Sequence, residues 1–378
     1  MIPFFSDATG FLYQRLLKPL LFRIDTELVH ESFTFVGEQL GKSQLAKKTL
    51  RTLYSYDQSS LAQTLCGIHF SNPIGLAAGF DYDVRLTQIL SSLGFGFQIG
   101  GTVTYESYNG NPKPMLGRLP KSQSLMVNKG FKSKGADAVI ESLQGKVFPI
   151  PLGISIGSTN KTYTNLKEQI DEYGKTFSLF EKTNIPSYYE INISCPNLKV
   201  NPFSDPSIVN ELFREVDSLR LRKPVFLKLF IDDQKAAQDV IKVAADHSIQ
   251  GLVIGNLTKD RKNPALIQEE VNRFSVGNFS GKPTWDRSNA LISYARKTFK
   301  DRFVIIGCGG VFSAEDAYYK IRLGANLIQL ITGMIFQGPQ LIGQINRRLM
   351  HHIQEDGHSS IKDATGTLTS SSLKSYIQ

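Results

Sequence analysis

Cysteine is scarce in this 378-residue chain: Cys66, Cys195 and Cys308 stand far apart. An odd, scattered set argues against a disulfide framework, and no CxxC pair or His/Cys cluster has metal-ligand spacing. A reducing compartment such as the cytoplasm suits this usage. Long apolar runs are also missing. The opening MIPFFSDATGFLYQRLLKPLLFRID holds no 18-residue apolar stretch and lacks the charged-then-apolar order of a secretion signal, so no membrane-spanning segment is expected. No dense Lys/Arg block with interleaved aromatics occurs either. The net charge of +9 and pI near 9.2 therefore point to an anionic membrane surface or acidic ligands before nucleic acid.

What is present suits a soluble globular protein: 41% hydrophobic and 20% charged residues, enough for one large domain or two smaller ones. From Pro73 onward, short β-rich runs alternate with helical patterns. The strand candidates are 73–78, 96–103, 151–156, 188–194, 224–230, 251–256, 303–308 and 325–331, with helices over 206–222, 233–247, 287–300 and 313–323. Near-continuous apolar strands are what a parallel sheet covered on both faces requires. Eight βα units predict an α/β fold, a (β/α)8 TIM barrel, over an open doubly wound sheet. The barrel is expected over 66–353 and a small N-terminal helical lobe over 1–65. A disordered, Ser/Thr-rich tail is expected over 354–378.

In the lobe, Phe11, Leu12, Leu16, Leu20 and Leu21 form an apolar side with Arg15, Lys18 and Arg23 interleaved. Residues 36–53 form a second, more basic amphipathic pattern. Two readings stand equal on pattern alone: a helical hairpin packed on the barrel, or a lobe set into a membrane interface.

In such barrels function collects where strands end. The stretch EINISCPN (190–197) closes the fourth strand on a thiol flanked by Asn192 and Asn197. An isolated Cys195 would read as a small buried hydrophobe. Its neighbours along the chain argue otherwise. GCGGVFSAEDA (307–317) and ITGMIFQGP (331–339) place glycines between strand and helix after strands seven and eight, where backbone N–H groups and a helix N-terminus can hold a phosphate. Lys228, inside an apolar strand, is either edge-exposed or aimed into the barrel mouth, where its charge would stabilise a reduced ring. FMN meets both clues, with one phosphate and one electron-accepting ring.

LLFRIDTELVHE (20–31), NPIGLAAGFD (72–81), GTVT (101–104), GNPKP (110–114), INISCPN (191–197), IIGCGG (305–310) and GANLIQLITGMIFQGP (324–339) together resemble dihydroorotate dehydrogenase, in its quinone-dependent, membrane-associated class 2 form. The resemblance runs from about Leu20 to about Leu349. It implies oxidation of dihydroorotate to orotate in pyrimidine (UMP) biosynthesis, FMN as cofactor and a membrane quinone as acceptor. It also implies peripheral attachment to the cytoplasmic face of a membrane through the helical lobe, and no nucleic-acid partner. By position it implies FMN contacts at Ala78, Gly79, Phe80, Asp81, Tyr82, Thr102, Ser155, Asn192, Lys228, Gly255, Gly281, Gly309, Gly310, Ile331, Thr332 and Gly333. Substrate amides match Asn192, Asn197 and Asn256, with Cys195 as the base.

Several positions depart from the class 2 pattern. Tyr82 stands where AAGFDKD carries a lysine, Val127 where an asparagine is expected (Asn128 is shifted by one), and Leu257 where a threonine is expected. Ser155 replaces an asparagine, and Cys195 replaces a serine and matches class 1. Substrate contacts are accordingly expected also at Tyr82, Asn128 and Lys129, with Lys129 or Lys132 supplying the missing cation. These departures keep two rivals open: an FMN barrel reductase acting on another dihydropyrimidine or on dihydrouridine in RNA, and a non-catalytic flavin-binding relative. The loop 257–286, long enough to be functional, is a candidate lid.

Overall fold

The structure is a computed structural model that describes residues 2–368, with side chains from Ser6 onward. Eight parallel strands close a barrel in chain order: β1 Ile74–Leu76, β2 Phe97–Val103, β3 Leu152–Ile156, β4 Tyr188–Asn192, β5 Val225–Leu229, β6 Gly251–Ile254, β7 Val304–Cys308 and β8 Leu327–Leu330. β8 pairs with β1 through Ile328 and Ile74, and β5 with β6 through Phe226 and Gly251. Every predicted strand is present, each shorter than or equal to its apolar run. The side chains of β2 to β6 are buried throughout, which accounts for the lack of polar alternation in their sequence.

The N-terminal lobe has three longer helices: α1 Ile2–Leu12, α2 Thr26–Lys42 and α3 Gln44–Tyr54. The pattern over 36–53 is not one helix. Ser43 adopts an extended conformation and its hydroxyl accepts from the Ala46 amide, ending α2 and starting α3. Asp25 caps α2 in the same way through Leu28 N–H.

Outside the barrel the helices include α4 Ala136–Leu143, α5 Leu166–Glu181, α6 Pro206–Ser218, α7 Gln234–Ala245, α8 Trp285–Phe299, α9 Ala314–Leu323 and α10 Leu341–Glu355. A separate three-stranded antiparallel sheet, not foreseen, is made by Leu116–Leu119 and Ser124–Val127, which follow β2 in the chain, with Asn278–Phe279, which follows β6. Residues 354–368, expected to be disordered, are ordered instead. α10 runs to Glu355, and Ile361 and Ala364 of a short helix are fully buried, because these apolar side chains join the main core. The rest of the expected tail, 369–378, lies outside the described residues.

Candidate active site

The pleat sorts the barrel interior into layers. Phe97, Ile99, Tyr188, Phe226, Val253, Ile306 and Leu327 make a buried apolar floor with Phe70. Two residues further along the same strands, and so on the same face, come Glu190, Lys228, Cys308 and Gln329. Asn192 follows two beyond Glu190.

A cavity of about 450 Å³ begins at these strand ends. Its deep end is lined by Ala78, Gly79, Thr102, Asn192, Cys195, Asn197, Lys228 and Asn256. Its outer part runs among apolar side chains of α2 and α3, such as Phe33, Val36 and Leu50, past Arg118. A smaller hollow of about 90 Å³ adjoins it and shares Ala78, Lys228, Asn256, Ser280, Ile331 and Thr332. Gly255, Gly281, Gly309, Gly310 and Gly333 wall it, with the Thr284 hydroxyl and no carboxylate. Gly309 has φ +94° and an added Cβ would stand 2.4 Å from Thr284 Oγ1, so the turn admits only glycine without a shift.

The three asparagines are held by their own network. Asn192 Nδ2 donates to Thr102 Oγ1 at 2.8 Å, and its Oδ1 accepts from the Ser194 hydroxyl at 3.1 Å. Asn256 Nδ2 donates to Ser194 Oγ at 2.5 Å. Asn197 Nδ2 donates to the Val127 carbonyl at 3.0 Å, and Asn278 donates to Asn197 Oδ1 at 2.6 Å. Ser194 and Asn278 thus orient the predicted amides, and the sequence reading missed both. Ser194 was visible inside the quoted motif, whereas Asn278 is brought in only by pairing with Val127.

Cys195 lines the deep end of the cavity yet is only 8% exposed. Burial pushes its thiol up to about 11, against the opposing pull of the Asn197 backbone N–H and the charges of Lys228 and Lys259.

The departures at the mouth form one cluster. Tyr82 donates its hydroxyl to Glu31 of α2, and Lys132 Nζ lies 3.4 Å from the same carboxylate. Lys129 Nζ sits 4.2 Å from the Tyr82 ring centroid, and among the described residues no carboxylate lies within 4.0 Å of it. Burial, then the nearby Lys132 charge, lowers Lys129 to about 8. His30, edge-on to Phe80 and stacked on Tyr82, is lowered by burial to about 3 and so stays neutral.

Three expected contacts point elsewhere. The Asp81 carboxylate is turned into its own loop, accepting from the amides of Arg85 and Leu86 at 2.8 Å each. Asn128 is not in the cavity wall. Its amide is tied to Asn111 at 3.1 Å and to the Pro112 carbonyl at 3.3 Å, because the shift by one residue in an extended segment reverses the face and presents Val127 instead. The Ser155 hydroxyl donates to Glu190 rather than into the cavity. The candidate lid is tied down: Asn278–Phe279 is paired in the outer sheet, Glu270 accepts from Lys121 and Ser122, and Arg287 binds Asp232 and Asp260.

Residues 60–353 match the family described as dihydroorotate dehydrogenase. A protein of Nostoc punctiforme named dihydroorotate dehydrogenase (quinone) is 34% identical over 373 residues, covering 94% of this chain and 98% of the relative. One of Christiangramia forsetii with the same name is 34% identical over 347 residues, covering 90% and 99%. The crystal structure of ligand-free DHODH from Eimeria tenella superposes with a TM-score of 0.80 at 25% identity, covering 91% of this chain and 99% of that one. With relatives above 30% identity along nearly its whole length, the chain belongs to the dihydroorotate dehydrogenase family, in its quinone-dependent class 2 form.

Proposed function

We propose that this chain oxidises dihydroorotate to orotate in pyrimidine (UMP) biosynthesis, using bound FMN and passing the electrons to a membrane quinone. One observation carries the reading. A single cavity brings the Cys195 thiol and three oriented amides to Lys228, adjoins a glycine-walled hollow, and leads out through an apolar channel into the helical lobe.

The donor set of the hollow fits FMN. Backbone at Gly309, Gly310 and Gly333 with the Thr332 and Thr284 hydroxyls suits a phosphate, and Lys228 at the shared wall suits the electron-rich edge of the ring. FMN, when bound, supplies the acceptor for the hydride that leaves C6 of dihydroorotate. The C5 proton passes to the sulfur of Cys195, and loss of both leaves the C5–C6 double bond of orotate. Asn192, Asn197 and Asn256 hold the amide edges of the substrate ring. A ring lacking those groups leaves buried polar atoms unpaired, at about 1–3 kcal/mol each. Lys129, whose charge has no carboxylate close by, meets the substrate carboxylate, whereas Lys132 is already engaged by Glu31.

The lobe suits a peripheral membrane contact. Phe11, Leu16 and Leu20 are 63%, 60% and 59% exposed, so the apolar side of the first segment faces outward and not onto the barrel. No helix among the described residues is long and apolar enough to cross a membrane.

The test is direct. Protein purified without added cofactor should release FMN on denaturation. Anaerobic dihydroorotate should bleach it, and a quinone should restore it. Bleaching by other donors but not by dihydroorotate would overturn the substrate assignment.

A further inference from the structure

Glu190 lies in β4, fully buried, two residues before Asn192 on the interior face of the barrel. Its Oε1 is 3.5 Å from Lys228 Nζ and accepts the Ser155 hydroxyl proton at 2.8 Å. Ser155 has one proton to give, so at the 3.0 Å contact with Thr102 it is Thr102 that donates. Thr102 in turn accepts from Asn192 Nδ2 at 2.8 Å. A directional chain therefore runs from the Asn192 amide through two hydroxyls to this carboxylate. Glu190 Oε2, by contrast, has no hydrogen-bond partner among the described residues.

Packing does not explain such a group. A carboxylate with a bare oxygen inside a barrel is unfavourable and apolar filling does not call for one; what it answers is the charge of the buried Lys228. What Glu190 does have is hold on Lys228, the cation at the wall shared by the cavity and the hollow, and on Asn192 through Thr102.

We propose that Glu190 is a positioning residue for Lys228 that weakens the preference of the site for reduced over oxidised FMN. The inference rests on the FMN reading above. Reduction adds negative charge to the ring, and an uncompensated lysine beside it would favour that state. A carboxylate 3.5 Å from Nζ offsets part of the field and fixes where the ammonium sits. The oxidised and reduced flavins are then held more evenly, which favours handing the electrons on to the quinone.

The test uses the holoenzyme and measures the reduction potential of bound FMN by equilibration with a reference dye. Flavin content of the wild-type protein is measured first; a wild type without FMN overturns both this inference and the reading beneath it. With FMN present, Glu190→Gln should raise the reduced-to-oxidised affinity ratio at least tenfold, about 30 mV for a two-electron couple. Glu190→Asp, which keeps the charge, should shift it less. In a Lys228→Met background the Glu190→Gln effect should vanish. An unchanged potential in flavin-loaded Glu190→Gln overturns the inference, as does an equal shift without Lys228. If neither Glu190 variant folds, the residue is a structural counter-ion and the inference fails.

Discussion

The protonation of Cys195 makes a quantitative demand on the reductive half-reaction. With the thiol held up to about 11, the thiolate fraction is about one in 100,000 at pH 6 and about one in 1,000 at pH 8, from the difference between pH and pKa. If thiolate is the base, the second-order rate of flavin bleaching by dihydroorotate climbs about tenfold per pH unit over this range, a gain of roughly 100-fold. Lys129 then intervenes. Lowered to about 8, it loses its charge above that pH, so binding of the anionic substrate weakens as fast as the thiolate increases. The profile should rise with unit slope to about pH 8 and then level off. In Lys129→Met the rise should continue past pH 8 from a lower starting value. Anaerobic stopped-flow mixing, at substrate concentrations low enough to give the second-order rate, measures this. A wild-type rate that is flat between pH 6 and pH 8 refutes the thiol as the titrating base.

Other expectations follow from single groups. Lys129→Met should weaken orotate binding roughly 10- to 100-fold, the span of one charge-assisted hydrogen bond, while flavin content stays unchanged; equilibrium titration with orotate measures it. Gly309→Ala must shift a Cβ away from Thr284 at a positive φ, so the purified variant should retain far less FMN than the wild type. Lys320 is fully buried, donates to Ser288 and Asn289, and is lowered by burial to about 7. Between pH 7 and the ordinary lysine range the unfolded chain binds a proton that the native one does not, so this group makes stability rise with pH and its full penalty stands below about pH 7. Denaturant titration should therefore show Lys320→Met gaining on the wild type at pH 6 and losing that advantage by pH 10.

The barrel was legible because its strands are buried on both faces, leaving near-continuous apolar runs such as FVIIGC. The outer sheet was not. Its strands have four, four and two residues, and Asn278 pairs with a residue some 150 positions earlier, a separation that local pattern does not carry. At the site, Cys195, Asn192, Asn197, Asn256 and Lys228 could be picked out as polar groups at the ends of apolar strands, and the structure brings them to one cavity. Asp81, Asn128 and Ser155 have equally polar side chains, but Asp81 is drawn into its own loop by the Arg85 and Leu86 amides, Asn128 lies on the face opposite the cavity-lining Val127, and Ser155 is turned by Glu190 on the neighbouring strand. Glu190 itself stood in the quoted stretch, yet only the pleat shows that it shares a face with Asn192.

The most direct measurement compares flavin bleaching in wild type and Cys195→Ala, both loaded with FMN and both shown to bind orotate. Dihydroorotate should bleach the wild type and leave the variant coloured. Bleaching of the variant at the wild-type rate would remove the Cys195 sulfur from the chemistry.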